Sequence, residues 1–169
     1  MNCKSGRLGM NISQCPDCGH LEFHNNSCRN RNCPNCQVVN KEVWVDKRRA
    51  EVIDTPYFHV VFTLPHELNP LVYCNQQLLY ALLHRCCAQT LLELSSNEKW
   101  LGATPGIIQV LHTWDQEMGY HVHMHCIISG GGLTADQKIK KSKSTFFIPV
   151  GVLRDKFKGK YLAELDSLY

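Results

Sequence analysis

The sequence lacks any long hydrophobic run. A membrane-spanning helix needs about 18 consecutive apolar residues, and no stretch of these 169 residues approaches that length. The N-terminal segment MNCKSGRLGM also lacks the apolar core that is typical of a signal peptide. These two absences predict a cytoplasmic protein that has no membrane partner.

A strong excess of charge of either sign is missing as well. The net charge is only +3, with 44% hydrophobic and 20% charged residues, which suits one globular domain or one domain plus a small module. The total charge therefore does not indicate a nucleic-acid partner. The basic residues are nevertheless grouped, between residues 29 and 49 and again between 138 and 160. Such local groups, rather than the total, determine attraction to phosphates.

Cysteine, by contrast, is plentiful, and its ten residues are distributed unevenly. A cytoplasmic chain keeps its thiols reduced, so a dense group of cysteines predicts metal ligands rather than disulfides. Residues 1–40 contain few apolar residues and cannot build a hydrophobic core alone, so a metal must stabilise them if they fold. Five cysteines lie within 22 residues of this part of the chain: Cys15, Cys18, Cys28, Cys33 and Cys36.

Two C-x-x-C turns, CPDC and CPNC, are separated by 14 residues. Each turn can point two thiolates at one ion, and two turns together complete a tetrahedral site. The pattern predicts a structural Zn²⁺ bound by Cys15, Cys18, Cys33 and Cys36. Cys28 is an alternative ligand, because it lies between the two turns. A redox role is disfavoured, because the motif occurs twice and no βαβ pattern surrounds it.

The hydrophobic pattern that follows predicts a mixture of helices and antiparallel strands. Helices are predicted at 41–54, 68–96 and 153–168, strands at 57–64, 107–114, 121–128 and 145–150, and a polar loop at 138–144. The short link between the second and third strands favours a hairpin. Few helices alternate with strands, so the predicted fold class is α+β, with helices on one face of an antiparallel sheet.

Three histidines occupy alternate positions in HVHMHCIISGGG, residues 121–132. Alternate residues of a strand point to the same face, so His121, His123 and His125 project together, and the apolar residues between them face a core. Two such imidazoles bind one divalent metal ion if a third group arrives from a neighbouring strand. Gly130–Gly132 follow the predicted strand and either form a loop or permit positive φ and close approach of a partner chain.

The preceding strand and its turn contain the candidates for the third metal ligand. They are Gln109, His112, Asp115 and Glu117, of which His112 is the best by residue type. A metal ion with open positions can polarise a phosphoryl oxygen or lower the pKa of a bound water. The pattern alone does not choose between these two reactions. His59, which stands alone in its strand, is interpreted as an ordinary satisfied histidine.

Three segments resemble one known family: CPDCGH…SCRNRNCPNCQ, YFHVVFTLPHELNP and VLHTWDQEMGYHVHMHCIISGGGL. From Gly9 onward, the chain is similar to bacterial transposases of the insertion-sequence-ninety-one type. These belong to the rolling-circle branch of the HUH nucleases, named for histidine–hydrophobic–histidine. The resemblance implies a zinc-binding module at residues 1–50. It also implies the first part of an HUH-type catalytic domain, with a central antiparallel sheet, at residues 51–169.

The resemblance also implies a chemistry. HUH nucleases cut single-stranded DNA with a tyrosine that becomes linked to the 5′ phosphate, and a histidine pair holds Mg²⁺ or Mn²⁺ at the scissile phosphate. The expected partner is therefore single-stranded DNA at transposon ends. His123 and His125 are the favoured pair, because apolar strand residues follow them directly as in related enzymes. His121 is then an auxiliary contact, and His112 is the candidate third ligand.

Four arginines are candidate contacts for DNA phosphates. Arg29 and Arg31 lie beside the predicted zinc site, and Arg48 and Arg49 lie in the predicted helix that follows. Charged side chains on a surface are more often simply solvated, so each of these arginines has a plain alternative role. The sequence alone does not decide between the two roles.

The sequence departs from the family in one respect. The family's paired tyrosines, spaced Y-x-x-x-Y, lie downstream of every motif named above, and no two tyrosines of this sequence have that spacing. The chain is thus interpreted as a transposase fragment that does not nick DNA covalently by itself. Two other functions remain open: a non-catalytic, zinc-dependent DNA-binding module, and a zinc hydrolase or lyase that uses the histidine strand.

Overall fold

The computed structural model describes residues 2–142 and 148–168. The chain divides into two compact units, Met1–Ile53 and Asp54–Tyr169. The boundary expected from the sequence, between residues 50 and 51, lies close to this division. Within the described residues, no helix is both long enough and apolar enough to cross a membrane.

The first unit contains one hairpin and one helix. Strand β1, Met10–Gln14, pairs antiparallel with β2, Leu21–Asn25, and helix α1 spans Pro34–Glu51. The helix starts earlier than the predicted segment 41–54, because Pro34 suits a first helical turn, where a backbone N–H is not needed. Both strands are exposed along their whole length, and no residue of α1 is buried. Apolar packing therefore contributes little to the stability of this unit.

The second unit is built on an antiparallel sheet with the strand order β3–β5–β4. Strand β3 spans Tyr57–Thr63, β4 spans Thr104–Trp114, and β5 spans Tyr120–Leu133. The predicted hairpin of β4 and β5 is confirmed by their antiparallel register. β5 is the central strand, since it is hydrogen-bonded to β3 along one side and to β4 along the other.

Helices cover one face of this sheet. After a 3₁₀ turn at His66–Leu68 come α2, Asn69–Cys74, and α3, Gln76–Ser96, and α4 spans Val150–Asp166. The long predicted helix 68–96 is in fact two helices, because Asn75 leaves the helical conformation with φ −130° and ψ 40°. The hydrophobic core forms where α3 and α4 pack against the covered face of β5. This arrangement confirms the predicted α+β class. The fully buried β5 residues of the core are Val122, Met124, Cys126 and Ile128.

Two expectations about the end of β5 are wrong. The strand does not end at Ile128 but continues through Gly130–Gly132, and residues 139–141 of the predicted polar loop form β6, which pairs with it. A Cβ atom on Gly132 would overlap the backbone of Thr104, so close approach of β4 is what requires glycine there. The first half of the predicted strand 145–150 lies outside the described residues, whereas Ile148 and Pro149 are not in a strand and Val150 begins α4.

An ion-pair network joins α3 to α4. Glu93 of α3 lies 2.6 Å from the Nζ atom of Lys160 and 2.9 Å from that of Lys156, both on α4. The hydrogen bond from Lys160, followed by that from Lys156, lowers the pKa of the Glu93 carboxyl below its usual value of 4.5. A lowered pKa in the folded state stabilises the protein above the unfolded-state pKa, and this contribution disappears as the pH falls through the folded-state pKa.

We therefore expect Glu93→Gln to reduce the free energy of unfolding by about 0.5–1 kcal/mol near pH 7, a small effect because the carboxylate is partly exposed. The difference from the wild type should vanish at an acid pH below the folded-state pKa, where the wild-type carboxylate is protonated as well. Urea denaturation at both pH values measures this. Glu117→Gln is the control, since Glu117 has no ion pair in the part of the chain that the structure describes. An equal loss at both pH values would show that the charge is not the cause.

Candidate functional site

Three histidines of the sheet point their rings at one another. His112 of β4 pairs directly with His123 of β5, and His125 follows two residues later on the same face of β5. One ring nitrogen from each lies within 4.8 Å of the others. The ring centroids are 5.3 Å apart for His112 and His123, 4.3 Å for His112 and His125, and 4.9 Å for His123 and His125. We call these three residues the histidine cluster, and their convergence suits the binding of one metal ion.

The histidine cluster lies on the sheet face that the described helices leave open. The residues of β5 alternate, so the histidines point away from the helices while Val122, Met124 and Cys126 are fully buried beneath them. Neighbouring side chains on the open face are exposed, such as Val61 of β3 and Val110 of β4, whose backbones pair with His125. The histidines are thus accessible to a ligand, while the packed face behind them keeps their strand rigid.

In two histidines of the cluster, the ring nitrogen Nδ1, called here the outer nitrogen, already has a hydrogen-bond partner. His123 donates from Nδ1 to the backbone carbonyl oxygen of His121, at 3.1 Å. Nδ1 of His125 lies 2.8 Å from Nε2 of His59, which β3 brings to the same face. In both histidines, Nε2 is then the nitrogen that remains for a metal ion. His59 is the residue that the sequence interpretation missed, because its partner lies on a strand distant in sequence.

The other candidates for the third ligand, Gln109, Asp115 and Glu117, are not in the group of mutually close ligand atoms. Asp115 accepts hydrogen bonds from the backbone N–H groups of Glu117 and Gly119, so its carboxylate shapes the turn between β4 and β5. Gln109 contacts His84 and Cys126 on the helix-covered face. His121 lies beside His123, with ring centroids 5.2 Å apart, but it is not one of the three mutually close ligands.

Burial, assisted by the neighbouring imidazoles of His112 and His123, lowers the pKa of His125 below its usual value of 6.5. A lowered pKa means that His125 is neutral near pH 7. The neutral imidazole is the form that can bind a metal ion, since a protonated ring has no free lone pair.

A second group of ligands lies in the first unit. The Sγ atoms of Cys3, Cys28, Cys33 and Cys36 lie within 4.8 Å of one another, and Cys36 is 3.4 Å from Cys3 and 3.6 Å from Cys28. The backbone N–H of Cys36, in the first turn of α1, donates to Cys33 and lowers the pKa of its thiol to about 7. We call this group the four-cysteine cluster, and four thiolates at these distances suit a tetrahedral Zn²⁺.

The first C-x-x-C turn does not join the four-cysteine cluster. Cys15 and Cys18 lie in the turn between β1 and β2, where the N–H groups of Cys18 and Asp17 donate to Cys15 and lower the pKa of its thiol. Their places are taken by Cys28, which the sequence left as an alternative, and by Cys3, which it did not suggest. One feature of the sequence does point to Cys3. Its neighbours are too polar to form a hydrophobic core around it, which favours a metal-binding role over simple burial.

The four arginines suggested as DNA contacts differ in their surroundings. Arg48 pairs with Glu51 at 2.7 Å, and Arg49 lies 3.7 Å from Asp46, all on α1. Arg29 and Arg31 are exposed beside the four-cysteine cluster and form no ion pair within residues 2–142 and 148–168. Arg29 and Arg31 are therefore freer than Arg48 and Arg49 to contact a phosphate.

Two family models match the chain. One, described as "Transposase zinc-binding domain", covers residues 1–64, and the other, described as "Putative transposase", covers residues 106–169. The first includes the four-cysteine cluster and the second includes the histidine cluster. The chain belongs to this transposase family. The zinc-binding character predicted for its first unit is thus confirmed at the level of the family.

Curated relatives of this transposase chain agree with the family models. "Putative transposase y4qJ" of Sinorhizobium fredii is 41% identical over 168 residues, which is 99% of this chain and 42% of that protein. The transposase of insertion sequence element IS801 from Pseudomonas savastanoi pv. phaseolicola is 33% identical, over 78% of this chain and 32% of its own length. The chain thus spans less than half the length of these relatives.

Among solved structures, the transposase chain is similar to a copper-bound structure of the conjugative relaxase TRWC in complex with oriT DNA. The TM-score is 0.49 and the identity 19%, over 72% of this chain and 47% of the relaxase chain.

Proposed function

We propose that this chain supplies the metal-binding part of a transposase that binds and processes single-stranded DNA. The observation that carries the proposal is the histidine cluster, in which three imidazoles converge on an open sheet face. A metal ion bound there would keep open positions toward solvent and would polarise a phosphoryl oxygen of the DNA backbone.

The ligand set indicates which ion suits the cluster. Imidazole nitrogens favour transition metals, whereas Mg²⁺ prefers oxygen ligands in a near-octahedral arrangement. His112, His123 and His125 offer only nitrogen, so they fit Mn²⁺ better than Mg²⁺. In the first unit, Cys3, Cys28, Cys33 and Cys36 would hold a structural Zn²⁺, which stabilises that unit rather than acting on a substrate.

The surroundings of the histidine cluster favour a single-stranded substrate over a duplex. Trp114 stacks on His112, with ring centroids 4.9 Å apart and planes 17° from parallel, and 48% of its surface is exposed. Bases of single-stranded DNA can stack on such an aromatic side chain, whereas a duplex keeps its bases inside. Stacking beside the cluster would bring a phosphate close to the histidines.

The described tyrosines are poorly placed to attack that phosphate. Tyr80 and Tyr120 share a hydrogen bond of 2.8 Å on the helix-covered side, and the ring of Tyr73 in α2 packs edge-on against Tyr120 there. Burial raises the pKa of Tyr161 to about 12. Tyr57 lies on the open face, but it pairs with Ser129, about four strand residues from His125. The proposal therefore assigns DNA binding and phosphate activation to the described residues and does not assign them the covalent step.

We expect a short labelled single-stranded oligonucleotide to bind about tenfold more tightly with Mn²⁺ than without it, and more tightly than the matching duplex. Fluorescence anisotropy measures this affinity. His123→Ala should remove only the Mn²⁺-dependent part. His66→Ala is the matched control, because the side chain of His66 is exposed and lies outside the cluster. A denaturing gel should show no covalent protein–DNA adduct.

Other outcomes would contradict the proposal. Binding that does not depend on Mn²⁺ and survives His123→Ala, but is lost with Cys33→Ser, would indicate a DNA-binding module that acts through the zinc region alone. A covalent adduct would show that this chain itself contains the nucleophile. Metal analysis that finds a tightly held Zn²⁺ at the histidine cluster, without any DNA binding, would instead favour a zinc hydrolase.

A further inference from the structure

We propose that His59 is a positioning residue that holds His125 in the tautomer required for binding a metal ion. The inference rests on the proposed function of the histidine cluster and adds to it a residue outside the cluster. His59 lies in β3, where its backbone pairs with Ile127, so its side chain is diagonal to His125 on the open face of the sheet. β3 is joined to β5 by seven successive backbone pairs, which fixes this placement.

The two rings meet edge to edge. Nε2 of His59 is 2.8 Å from Nδ1 of His125, whereas the ring centroids are 5.0 Å apart, and the planes differ by only 10°. Nitrogens that are much closer than the ring centres, in nearly parallel rings, indicate a hydrogen bond that runs along the ring edges rather than face-to-face stacking. Within the described residues, no other polar side chain is hydrogen-bonded to this nitrogen of His125.

This hydrogen bond determines which nitrogen of His125 carries the proton. Neutral imidazole has one protonated nitrogen and one lone pair. Nδ1 faces His59, so Nε2 is the nitrogen left to bind a metal ion and must carry the lone pair. The proton of His125 is then on Nδ1 and is donated to Nε2 of His59. In turn, Nε2 of His59 accepts this hydrogen bond, which leaves Nδ1 as the nitrogen that carries the proton of His59.

His59 acts through His125 rather than as a fourth ligand. Its nitrogens are not part of the group that lies within 4.8 Å, so it approaches the cluster from outside. His123 has the equivalent arrangement, since its Nδ1 donates to the backbone carbonyl oxygen of His121. His123 and His125 thus each have Nδ1 held by a hydrogen bond, but only the partner of His125 is a side chain and can be replaced. Such outer partners typically change metal affinity about 10- to 100-fold.

The first experiment needs no metal. ¹⁵N NMR of the full chain reports which ring nitrogen of His125 is protonated. We expect Nδ1–H in the wild type and a shift toward Nε2–H in His59→Leu, which removes the acceptor. His59→Gln, which retains a side-chain acceptor, should restore part of the Nδ1–H population. His66→Leu should match the wild type, because His66 lies outside the cluster and its partner is Glu67.

The second experiment titrates Mn²⁺ into the same proteins. We expect the dissociation constant of His59→Leu to be about 10- to 100-fold higher than that of the wild type, with His59→Gln in between. Thermal unfolding confirms that each variant is folded. With Cu²⁺ as a probe, electron spin echo spectroscopy should find the same number of bound imidazoles in the wild type and in His59→Leu.

The outcomes separate this inference from the function on which it rests. If the wild type binds Mn²⁺ and His59→Leu binds it within twofold, or if the His125 tautomer does not change, the positioning role is refuted and the metal site stands. One bound imidazole fewer in His59→Leu would make His59 a ligand and would also refute the positioning role. A wild type that binds no Mn²⁺ would refute the proposed function, and this inference with it.

Discussion

Cys33→Ser is expected to abolish zinc binding in the first unit and to unfold that unit. No residue of α1 is buried and both strands of the hairpin are exposed, so the metal is the main source of stability. Structural zinc contributes about 10–16 kcal/mol to small domains of this kind, and most of that is lost with one of four thiolates. Cobalt substitution measures the effect, because thiolate-to-cobalt absorption reports cysteine ligands without interference from the histidines. The amide NMR signals of residues 2–53 should collapse to unfolded positions.

The same measurement decides between two sets of zinc ligands. Cys3→Ser should behave like Cys33→Ser if the four-cysteine cluster holds the ion, whereas Cys15→Ser should keep the thiolate-to-cobalt absorption. Cys74→Ser is the matched control, because Cys74 is exposed on α2 in the second unit. If Cys15→Ser loses the ion and Cys3→Ser keeps it, the set predicted from the two C-x-x-C turns is the correct one.

His125→Ala is expected to weaken Mn²⁺ binding at least about 100-fold, since replacing a direct ligand costs more than replacing an outer partner. Isothermal titration calorimetry measures the dissociation constant. The melting temperature should hardly change, because the side chain lies on the open face and not in the helix-covered core.

His121→Ala is the informative control for this prediction. His121 neighbours His123 on the same strand but is absent from the histidine cluster, so its loss should change the Mn²⁺ dissociation constant only a few-fold. A larger effect for His121→Ala than for His125→Ala would reverse the assignment and make His121 and His123 the metal-binding pair.

The parts of the site that could be predicted from sequence are those set by local geometry. The period of two along a strand places His123 and His125 on one face, and the short turn after β4 brings His112 next to them. Neither step requires knowledge of any distant segment. The partner strand of β5 on its other side could not be predicted in this way, because β3 lies far away in sequence. The sequence therefore predicts only an ordinary histidine at position 59.

The cysteines likewise show that sequence patterns predict local motifs but not contacts between distant segments. Each C-x-x-C turn is a local motif, so the pair Cys33 and Cys36 could be identified from spacing alone. The other two members of the four-cysteine cluster depend on how the loops of the first unit come together, and spacing cannot report that. Cys3 in particular forms no motif with its neighbours. The length of β5 was underestimated for a related reason: three glycines indicate a break unless the close approach of β4 is known.

The central position of β5 has a consequence for the rigidity of the histidine cluster. An edge strand can fray by breaking one row of hydrogen bonds, but β5 can open only if its ladders to β3 and β4 both break. Opening at His123 and His125 is therefore tied to the global unfolding of the second unit rather than to local fluctuation. We therefore expect the histidine cluster to lie in the slowest-exchanging part of its unit, so that a ligand entering the open face would meet a preformed site.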